Sequence, residues 1–217
     1  MSGNLFNLLR VRRFAPLFVT QFLGAFNDNV FKNALVFLVT YKIAVDQGWD
    51  NAAVIVPLAG GLFILPFFLI SALAGQLSDK FEKSRLIQII KFAEIILMAV
   101  ASYGIYSENV TVMMVTLFLM GSQSTFFGPL KYSILPEHLH HDELIGGNAL
   151  IEMGTFLSII LGLIVGGMLI LVPGGPLIIS AIVLSVATFG FLSSFAIPNT
   201  IPAAAGLEIN YNLFQET

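Results

Sequence analysis

The chain has 217 residues, of which 57% are hydrophobic and 11% are charged, and its mean hydropathy is +0.89. A soluble domain of this length cannot bury so much apolar surface, so we infer that a lipid bilayer surrounds most of it. The net charge is −3 and no run of Lys and Arg is present, which argues against nucleic-acid binding. The absence of cysteine excludes disulfides, thiolate metal sites and cysteine nucleophiles.

Residues 1–13 form a basic N-terminal segment that we expect to be cytoplasmic. Arg10, Arg12 and Arg13 precede an apolar run that is too long for a signal peptide and lacks a small-residue cleavage pattern. The run is therefore predicted to stay in the protein as a membrane anchor, with the arginines on the inner side of the membrane.

Apolar stretches of about twenty residues predict an all-α membrane protein, a bundle of six transmembrane helices spanning 14–197. The connections between them are short, which favours antiparallel neighbours, and the runs lack the alternation of a membrane β-barrel. The six predicted spans cover residues 14–40, 52–77, 85–106, 110–135, 144–171 and 176–197.

The distribution of Lys and Arg predicts the orientation of these spans. With a cytoplasmic N-terminus, six basic residues fall in inner segments and only Lys42 falls in an outer loop. Both termini then face the cytoplasm. Pro198 and Pro202 stop the last helix, so 198–217 is predicted to be the start of a cytoplasmic linker, and the chain to be a half or fragment of a longer protein.

The first span carries the segment Gln21-Phe-Leu-Gly-Ala-Phe-Asn-Asp28-Asn29, followed by Lys32. A charge at the centre of a membrane costs about 2.5–3.5 kcal/mol on insertion scales, so such groups usually face a protein interior or a wet cavity. Asp28 and Lys32 are four residues apart and are predicted to neutralise each other in part, with Gln21 near the same helical face. The segment is interpreted either as a binding site for a polar ligand or as a static ion pair.

Later spans contain further buried charges. Lys131 follows Gly128-Pro129 in the fourth span, where the proline is expected to kink or open the helix. The Lys131 amine is interpreted either as a phosphate-binding group or as a side chain that extends to the lipid headgroups at the cytoplasmic surface. Glu152 lies two turns into the fifth span, with Asn148 one turn before it, and is predicted to bind an ammonium or to pair with Lys131.

Lys91 and Glu94 in the third span are three residues apart and are interpreted as a structural pair, with Lys91 reaching toward the cytoplasmic surface. Glycines at 162, 166 and 167 predict close packing of the fifth helix.

The loop at 136–143 contains three histidines, but adjacent imidazoles in a short loop rarely converge on a metal. We therefore predict no metal site and no cofactor, with Asp142 and Glu143 capping the fifth helix.

The turn after the second span reads Gly75-Gln-Leu-Ser-Asp-Lys-Phe-Glu-Lys-Ser-Arg85. It resembles the Gly-x-Leu-x-Asp-Arg/Lys-x-Gly-Arg/Lys signature of the major facilitator superfamily, with Glu82 in place of the second glycine. Glycine is expected to let two helices approach closely, the aspartate to supply a charge for a helix end, and the basic residues to hold the loop inside. The matching residues of this predicted conformational-switch motif are Gly75, Leu77, Asp79, Lys80, Lys83 and Arg85.

Three further segments narrow the resemblance: Gln21 to Asn29, Gly128-Pro-Leu-Lys-Tyr-Ser-Ile-Leu-Pro-Glu137, and Gly147-Asn-Ala-Leu-Ile-Glu152. With the turn, they are similar to the bacterial lysophospholipid transporter family, which moves lysophospholipids across the inner membrane for re-acylation. Some members are fused to acyltransferase and acyl-carrier-protein ligase domains. The resemblance implies the N-terminal half of a twelve-helix transporter, with Asp28, Lys131 and Glu152 on the lipid pathway.

These observations lead to three functional hypotheses. The preferred one is a secondary transporter that moves lysophospholipid toward the cytoplasmic leaflet, with a second six-helix half or downstream acyltransferase domains as partners. The others are a major facilitator exporter of drugs or small metabolites, and a non-transporting membrane anchor for acyltransferase domains. An enzyme is not predicted, because no Ser/His/Asp or His-x-x-x-x-Asp arrangement is present, the nearest match from His138 to Asp142 being one residue short.

Overall fold

The computed structural model describes residues 5–48 and 52–210, and secondary structure in this part of the chain is entirely helical. Six long helices form a bundle, and each coincides with one of the six predicted spans to within a few residues. Their bounds are α1 Ala15–Leu38, α2 Ala52–Lys80, α3 Lys83–Tyr106, α4 Val110–Ser133, α5 Leu144–Leu169 and α6 Gly175–Ser194.

Short helical segments join or extend these helices. The 3₁₀ segment Leu5–Arg10 precedes α1, and the π-helical segment Val39–Ile43 continues α1 into a short helix, Ala44–Gln47. Between α4 and α5 lie the short helix Leu135–His138 and the 3₁₀ segment His141–Glu143. The predicted linker at 198–217 is described only as far as residue 210, where it has no helix.

Five of the six helices, α2 to α6, are long and apolar enough to cross a membrane, which makes the chain a multi-pass membrane protein. The first helix does not reach the same apolarity, because Asn27, Asp28, Asn29, Lys32 and Asn33 interrupt it. That α1 crosses the membrane therefore stays a prediction, and so does the cytoplasmic position of both termini.

Helix α1 lies at the centre of the bundle and packs against α5 and α6. Helices α2 and α4 pack together, and α3 connects this pair to the others by contacting both α4 and α6. This arrangement directs side chains from several helices toward the middle of α1.

Two apolar clusters fill the interior and leave a polar layer between them. The first contains Leu17, Ile87, Leu135 and Ile151, near one end of the bundle, and the second contains Leu35, Met98 and other residues toward the opposite end. On α1, α3, α4 and α5, the residues between these clusters include most of the polar groups that the sequence places inside the spans. The apolar layers thus determine the depth at which a polar site can form.

The predicted glycine contact of the fifth helix is confirmed. Gly162 and Gly166 of α5 face the backbone of α1, and a Cβ atom at Gly166 would lie 3.0 Å from the carbonyl carbon of Val30 and 3.1 Å from the nitrogen of Ala34. Only a residue without a side chain permits this approach, because the contacting atoms belong to backbone that has little freedom to move.

We expect Gly166→Ala to lower the free energy of unfolding by about 1–3 kcal/mol, because the added methyl group overpacks the contact between α1 and α5. Gly60→Ala in α2 is the matched control, since its Cβ would meet nothing within 4 Å. That variant should be neutral or more stable by about 0.5–1 kcal/mol. Thermal unfolding of the two purified variants in detergent measures the difference, and equal stability would show that the close contact is dispensable.

Candidate functional site

A pocket of about 290 Å³ lies in the polar layer, between α1 and parts of α2, α3, α4 and α5. Its walls combine charged and amide groups with aromatic rings. The polar lining consists of Gln21, Asp28, Asn29, Lys32, Lys91, Glu94, Gln123, Ser124, Lys131 and Thr155. Apolar side chains that complete the lining include Phe63, Phe67, Phe127 and Ile159.

Asp28 points from α1 toward α4, where the hydroxyl of Ser124 donates a hydrogen bond of 2.6 Å to Oδ2 of the carboxylate. Asp28 and Lys32 do not form a direct ion pair, because no contact within 4 Å joins the two among the described residues, but their charges still interact electrostatically, which agrees with the predicted partial neutralisation. Instead, the amine of Lys32 lies 5.4 Å from the ring centroid of Phe63 in α2. Side chains four residues apart can meet on a helix, but here each one finds a partner on another helix.

Lys131 and Glu152 meet at the edge of the pocket. The amine of Lys131 is 3.8 Å from Oε1 of Glu152 and 4.7 Å from the ring centroid of Tyr132, whose hydroxyl donates to the same carboxylate oxygen. The predicted pairing of Lys131 with Glu152 is confirmed. The side chain of Glu152 is 44% exposed. The predicted opening of the helix at Pro129 is not seen, because α4 continues to Ser133, and the predicted kink stays a prediction.

Lys91 and Glu94 form the most deeply buried ion pair in the described part of the chain. Lys91 Nζ is 2.5 Å from Glu94 Oε2, and each residue is 1% exposed. The predicted pairing is confirmed, but the expected extension of Lys91 to the membrane surface is wrong. The amine instead occupies the space beside Gly24 of α1, which has no side chain to exclude it.

The ion pair also connects α3 to α1 and α4. Asn27 donates a hydrogen bond of 3.0 Å to Glu94 Oε1, and Gln123 Nε2 lies 3.5 Å from Oε2. These two amides directly precede Asp28 and Ser124 in the chain. The predicted site did not include Gln123 or Ser124. It also did not include Lys91 and Glu94, although charges in the middle of an apolar span were a signal for these two.

Gln21 and Asn148 have structural contacts. Gln21 donates a hydrogen bond of 3.0 Å to the carbonyl of Ile151 and accepts one of 3.3 Å from Thr155, so it joins α1 to α5 at the edge of the pocket. Asn148 does not face the pocket, because its amide donates to the carbonyl of Leu144 in its own helix. Four of the six predicted binding residues line the pocket: Gln21, Asp28, Lys32 and Lys131. A fifth, Glu152, contacts Lys131 at the pocket edge.

The loop between α4 and α5 is held by Glu143 rather than by its histidines. Glu143 accepts bidentate hydrogen bonds of 2.6 and 2.7 Å from Arg13 and another of 2.9 Å from the backbone of His140. Through His140, the Glu143 side chain caps the 3₁₀ segment His141–Glu143 that leads into α5, whereas the predicted capping of α5 itself is wrong, because no side-chain hydrogen bond from the described residues caps its start. In residues 5–48 and 52–210, no group of three His, Asp or Glu side chains is placed to hold a metal ion.

The turn between α2 and α3 is organised by Glu82, the residue that departs from the family signature. Its carboxylate accepts from the backbone nitrogens of Ser84 and Arg85 at 3.0 and 2.8 Å, which caps the start of α3. It also accepts from the nitrogen and hydroxyl of Thr200 at 2.8 and 3.1 Å. Partial burial by itself would raise the pKa of Glu82, but these hydrogen bonds outweigh burial and lower the pKa to about 2.

The segment after α6 therefore packs on this turn along its described length. The nitrogen of Ala204 donates to the carbonyl of Asp79 at 2.9 Å, and Asn210 makes backbone hydrogen bonds with the side chain of Gln76 at 2.7 and 3.3 Å. This clasp, consisting of residues 199–210, was not predicted, because the sequence of the segment resembles a free linker.

Two roles predicted for the turn are not seen among the described residues. Among residues 5–48 and 52–210, none approaches Gly75 closely, since a Cβ atom there would meet nothing of them within 4 Å. Asp79 is exposed at the C-terminal end of α2, where a carboxylate does not complement the helix dipole. Lys83 is buried and paired with Glu137, while Leu77, Lys80 and Arg85 are not buried.

We expect Glu82→Ala to release the clasp, because one carboxylate supports both the α3 cap and Thr200. Loss of an N-cap alone costs about 1 kcal/mol. In this cysteine-free chain, Ala204→Cys provides a single labelling site, and its reaction with a water-soluble maleimide should accelerate severalfold when Glu82 is also changed. Glu208→Ala, in the same segment, is the control, and an unchanged labelling rate in the Glu82 variant would contradict the role of the carboxylate.

A family model described as the Major Facilitator Superfamily matches residues 17–208, which is most of the chain. With the helical bundle and its central polar pocket, this match shows that the chain belongs to the major facilitator superfamily of membrane transporters. The family resemblance seen in the sequence motifs is confirmed.

Individual relatives are also transporters. The chain is 29% identical over 168 residues to a Cronobacter sakazakii protein named Lysophospholipid transporter LplT, an alignment that covers 77% of this chain and 38% of the relative. It is 30% identical over 151 residues to the Salmonella typhimurium protein of the same name, covering 70% of this chain and 34% of the relative. The chain thus spans about a third of the length of the curated relatives it matches.

Proposed function

We propose that this protein moves lysophospholipids across the bacterial inner membrane, toward the cytoplasmic leaflet where they are re-acylated. The observation that carries the proposal is the pocket between the two apolar clusters, in which carboxylates, amines and phenylalanine rings meet. A lysophospholipid has a charged head and one acyl chain, so it needs a pathway of this mixed character. The relatives named for lysophospholipid transport support the choice of substrate.

The polar part of the pocket supplies groups for the lipid head. Asp28 uses one oxygen to accept from Ser124, so its second oxygen can accept a hydrogen bond from a lipid ammonium or hydroxyl. Lys131, whose amine is 3.8 Å from Glu152, places a charged pair at the edge of the pocket. Because these charges lie between two apolar layers, a headgroup in the pocket would be separated from the water at both ends of the bundle.

The acyl chain requires an apolar surface that continues from this headgroup position. Phe63 and Phe67 of α2 lie one turn apart and their rings contact each other, with centroids 6.2 Å apart, while Phe127 of α4 lines the pocket opposite them. We propose that the chain lies along these rings. Transport then occurs by rocking of this bundle against a second six-helix half, which exposes the pocket to the two sides of the membrane alternately.

A substrate competition experiment tests the proposal. Spheroplasts that produce the protein are given labelled lysophosphatidylethanolamine, with unlabelled lysophospholipids or small drug-like solutes as competitors. Lysophospholipids should compete for uptake and the small solutes should not. If small solutes compete equally, the protein is an exporter of the same superfamily, and if no protein-dependent uptake occurs, the membrane-anchor hypothesis is favoured.

A further inference from the structure

We propose that Lys32 is the phosphate-binding residue of the pocket, so that Asp28 and Lys32 together recognise the two ends of a lysophospholipid headgroup. This inference rests on the proposed function, because it assigns the headgroup orientation in the same pocket. Recognition by Lys32 requires a phosphate on the substrate, whereas a general affinity for amphiphiles does not.

The partners of the three pocket amines single out Lys32. Lys91 is bound to Glu94 at 2.5 Å, and Lys131 is within 3.8 Å of Glu152. In the described ranges 5–48 and 52–210, no carboxylate lies within 4 Å of the Lys32 amine, which instead lies over Phe63. An anionic ligand therefore finds two lysines already occupied by carboxylates and one amine that can accept it without displacing an ion pair.

The position of Lys32 matches the dimensions of a headgroup. It lies four residues after Asp28 on α1, which is about one helical turn or 6 Å along the axis, and both side chains line the pocket. A phosphodiester bound by the amine would place an attached ammonium or hydroxyl group near Asp28. The ordering of charge along α1 therefore corresponds to the ordering of charge in the lipid head.

Phe63 explains how the amine is kept in place before substrate binds. The cation–π contact of 5.4 Å holds Lys32 on the α2 side of the pocket, and such contacts are weak enough to be exchanged for a charge-assisted hydrogen bond. The same ring belongs to the aromatic surface proposed for the acyl chain. Phosphate binding at Lys32 would thus position the start of the chain beside Phe63.

Competition by matched lipids tests this assignment in spheroplasts that produce the protein. Uptake of labelled lysophosphatidylethanolamine is competed with lysophosphatidylglycerol or with a monoacylglycerol that has the same acyl chain and no phosphate. In the unmodified protein, the phosphate-containing competitor should be at least tenfold more effective. In Lys32→Gln this advantage should disappear, with KM for lysophosphatidylethanolamine raised about tenfold and the maximal rate largely retained.

Three further variants separate phosphate binding from a structural role. Lys32→Arg keeps the charge and should keep the advantage of the phosphate-containing lipid, whereas Phe63→Leu removes the ring but should leave the phosphate preference intact. Lys42→Gln, at an outer amine paired with Glu108, is the matched control and should behave as the unmodified protein. Should Lys32→Gln fold poorly, Lys32→Met provides the same comparison.

The outcomes distinguish this inference from the function on which it rests. If Lys32→Gln and Lys32→Met transport lysophospholipid and still prefer the phosphate-containing competitor, Lys32 is not the phosphate site, although the transport function stands. If Phe63→Leu abolishes the preference while Lys32→Gln does not, the ring and not the amine provides selectivity. Absence of lysophospholipid uptake by the unmodified protein would instead overturn the proposed function.

Discussion

Replacement of Asp28 by asparagine is expected to lower lysophosphatidylethanolamine uptake by about ten- to a hundredfold while leaving the amount of protein unchanged. The amide keeps the size of the side chain and can still accept from Ser124, but it no longer forms a charge-assisted hydrogen bond with a lipid ammonium. Such bonds contribute about 1.5–3 kcal/mol, and each 1.4 kcal/mol is a factor of about ten in affinity.

Uptake in spheroplasts, normalised to the amount of folded protein, measures this effect. Asp46→Asn is the matched control, because Asp46 is exposed in the short helix after α1, outside the pocket. The control should transport as the unmodified protein does. Normal uptake by the Asp28 variant would remove this carboxylate from the headgroup site.

The second large effect concerns stability rather than transport. We expect Glu94→Gln, or Lys91→Met, to lower the free energy of unfolding by about 3–5 kcal/mol, since each change leaves one buried charge without its partner. Both residues are 1% exposed, so solvent cannot replace the missing contact. The double variant with both changes should recover most of the lost stability, because no isolated charge remains and glutamine can still accept from Asn27.

Thermal unfolding of the purified variants in detergent tests this cycle, with the two single variants and the double variant compared in parallel. A double variant as unstable as the worse single variant would show that the charge pair is not the cause, and that the hydrogen bonds of Glu94 to the neighbouring helices dominate. Conversely, single variants with normal unfolding temperatures would mean that water reaches the pair.

The helices were predictable from the sequence because apolarity over twenty residues is a local property. The predicted span at 110–135 and the observed helix Val110–Ser133 agree closely, since the apolar run is visible in the chain, and the structure shows that Asn109 caps its start. The first helix was found for a different reason: its polar residues interrupt an apolar run without introducing a helix breaker. The clasp at 199–210 was missed, because its contacts depend on Glu82, more than a hundred residues earlier.

The site was only partly predictable. Asp28, Lys32 and Lys131 could be recognised because charges are costly inside a membrane segment. Ser124 and Gln123 could not, because a serine or glutamine in an apolar helix commonly bonds to its own backbone or to a neighbouring helix. Their roles follow from the position of α4 relative to α1, which no local pattern encodes.

The sequence by itself determined that this is a helical membrane protein of the major facilitator superfamily, because the length of apolar runs and the signature turn are written in consecutive residues. Only the tertiary structure decided which groups the charges contact on other helices: Asp28 contacts Ser124, Glu94 contacts Asn27, and Lys32 contacts an aromatic ring instead of the nearby carboxylate. The physical reason is that a side chain on a packed helix can reach groups on several neighbouring helices. The choice among them depends on the crossing of those helices, which glycines such as Gly162 and Gly166 set by allowing close approach.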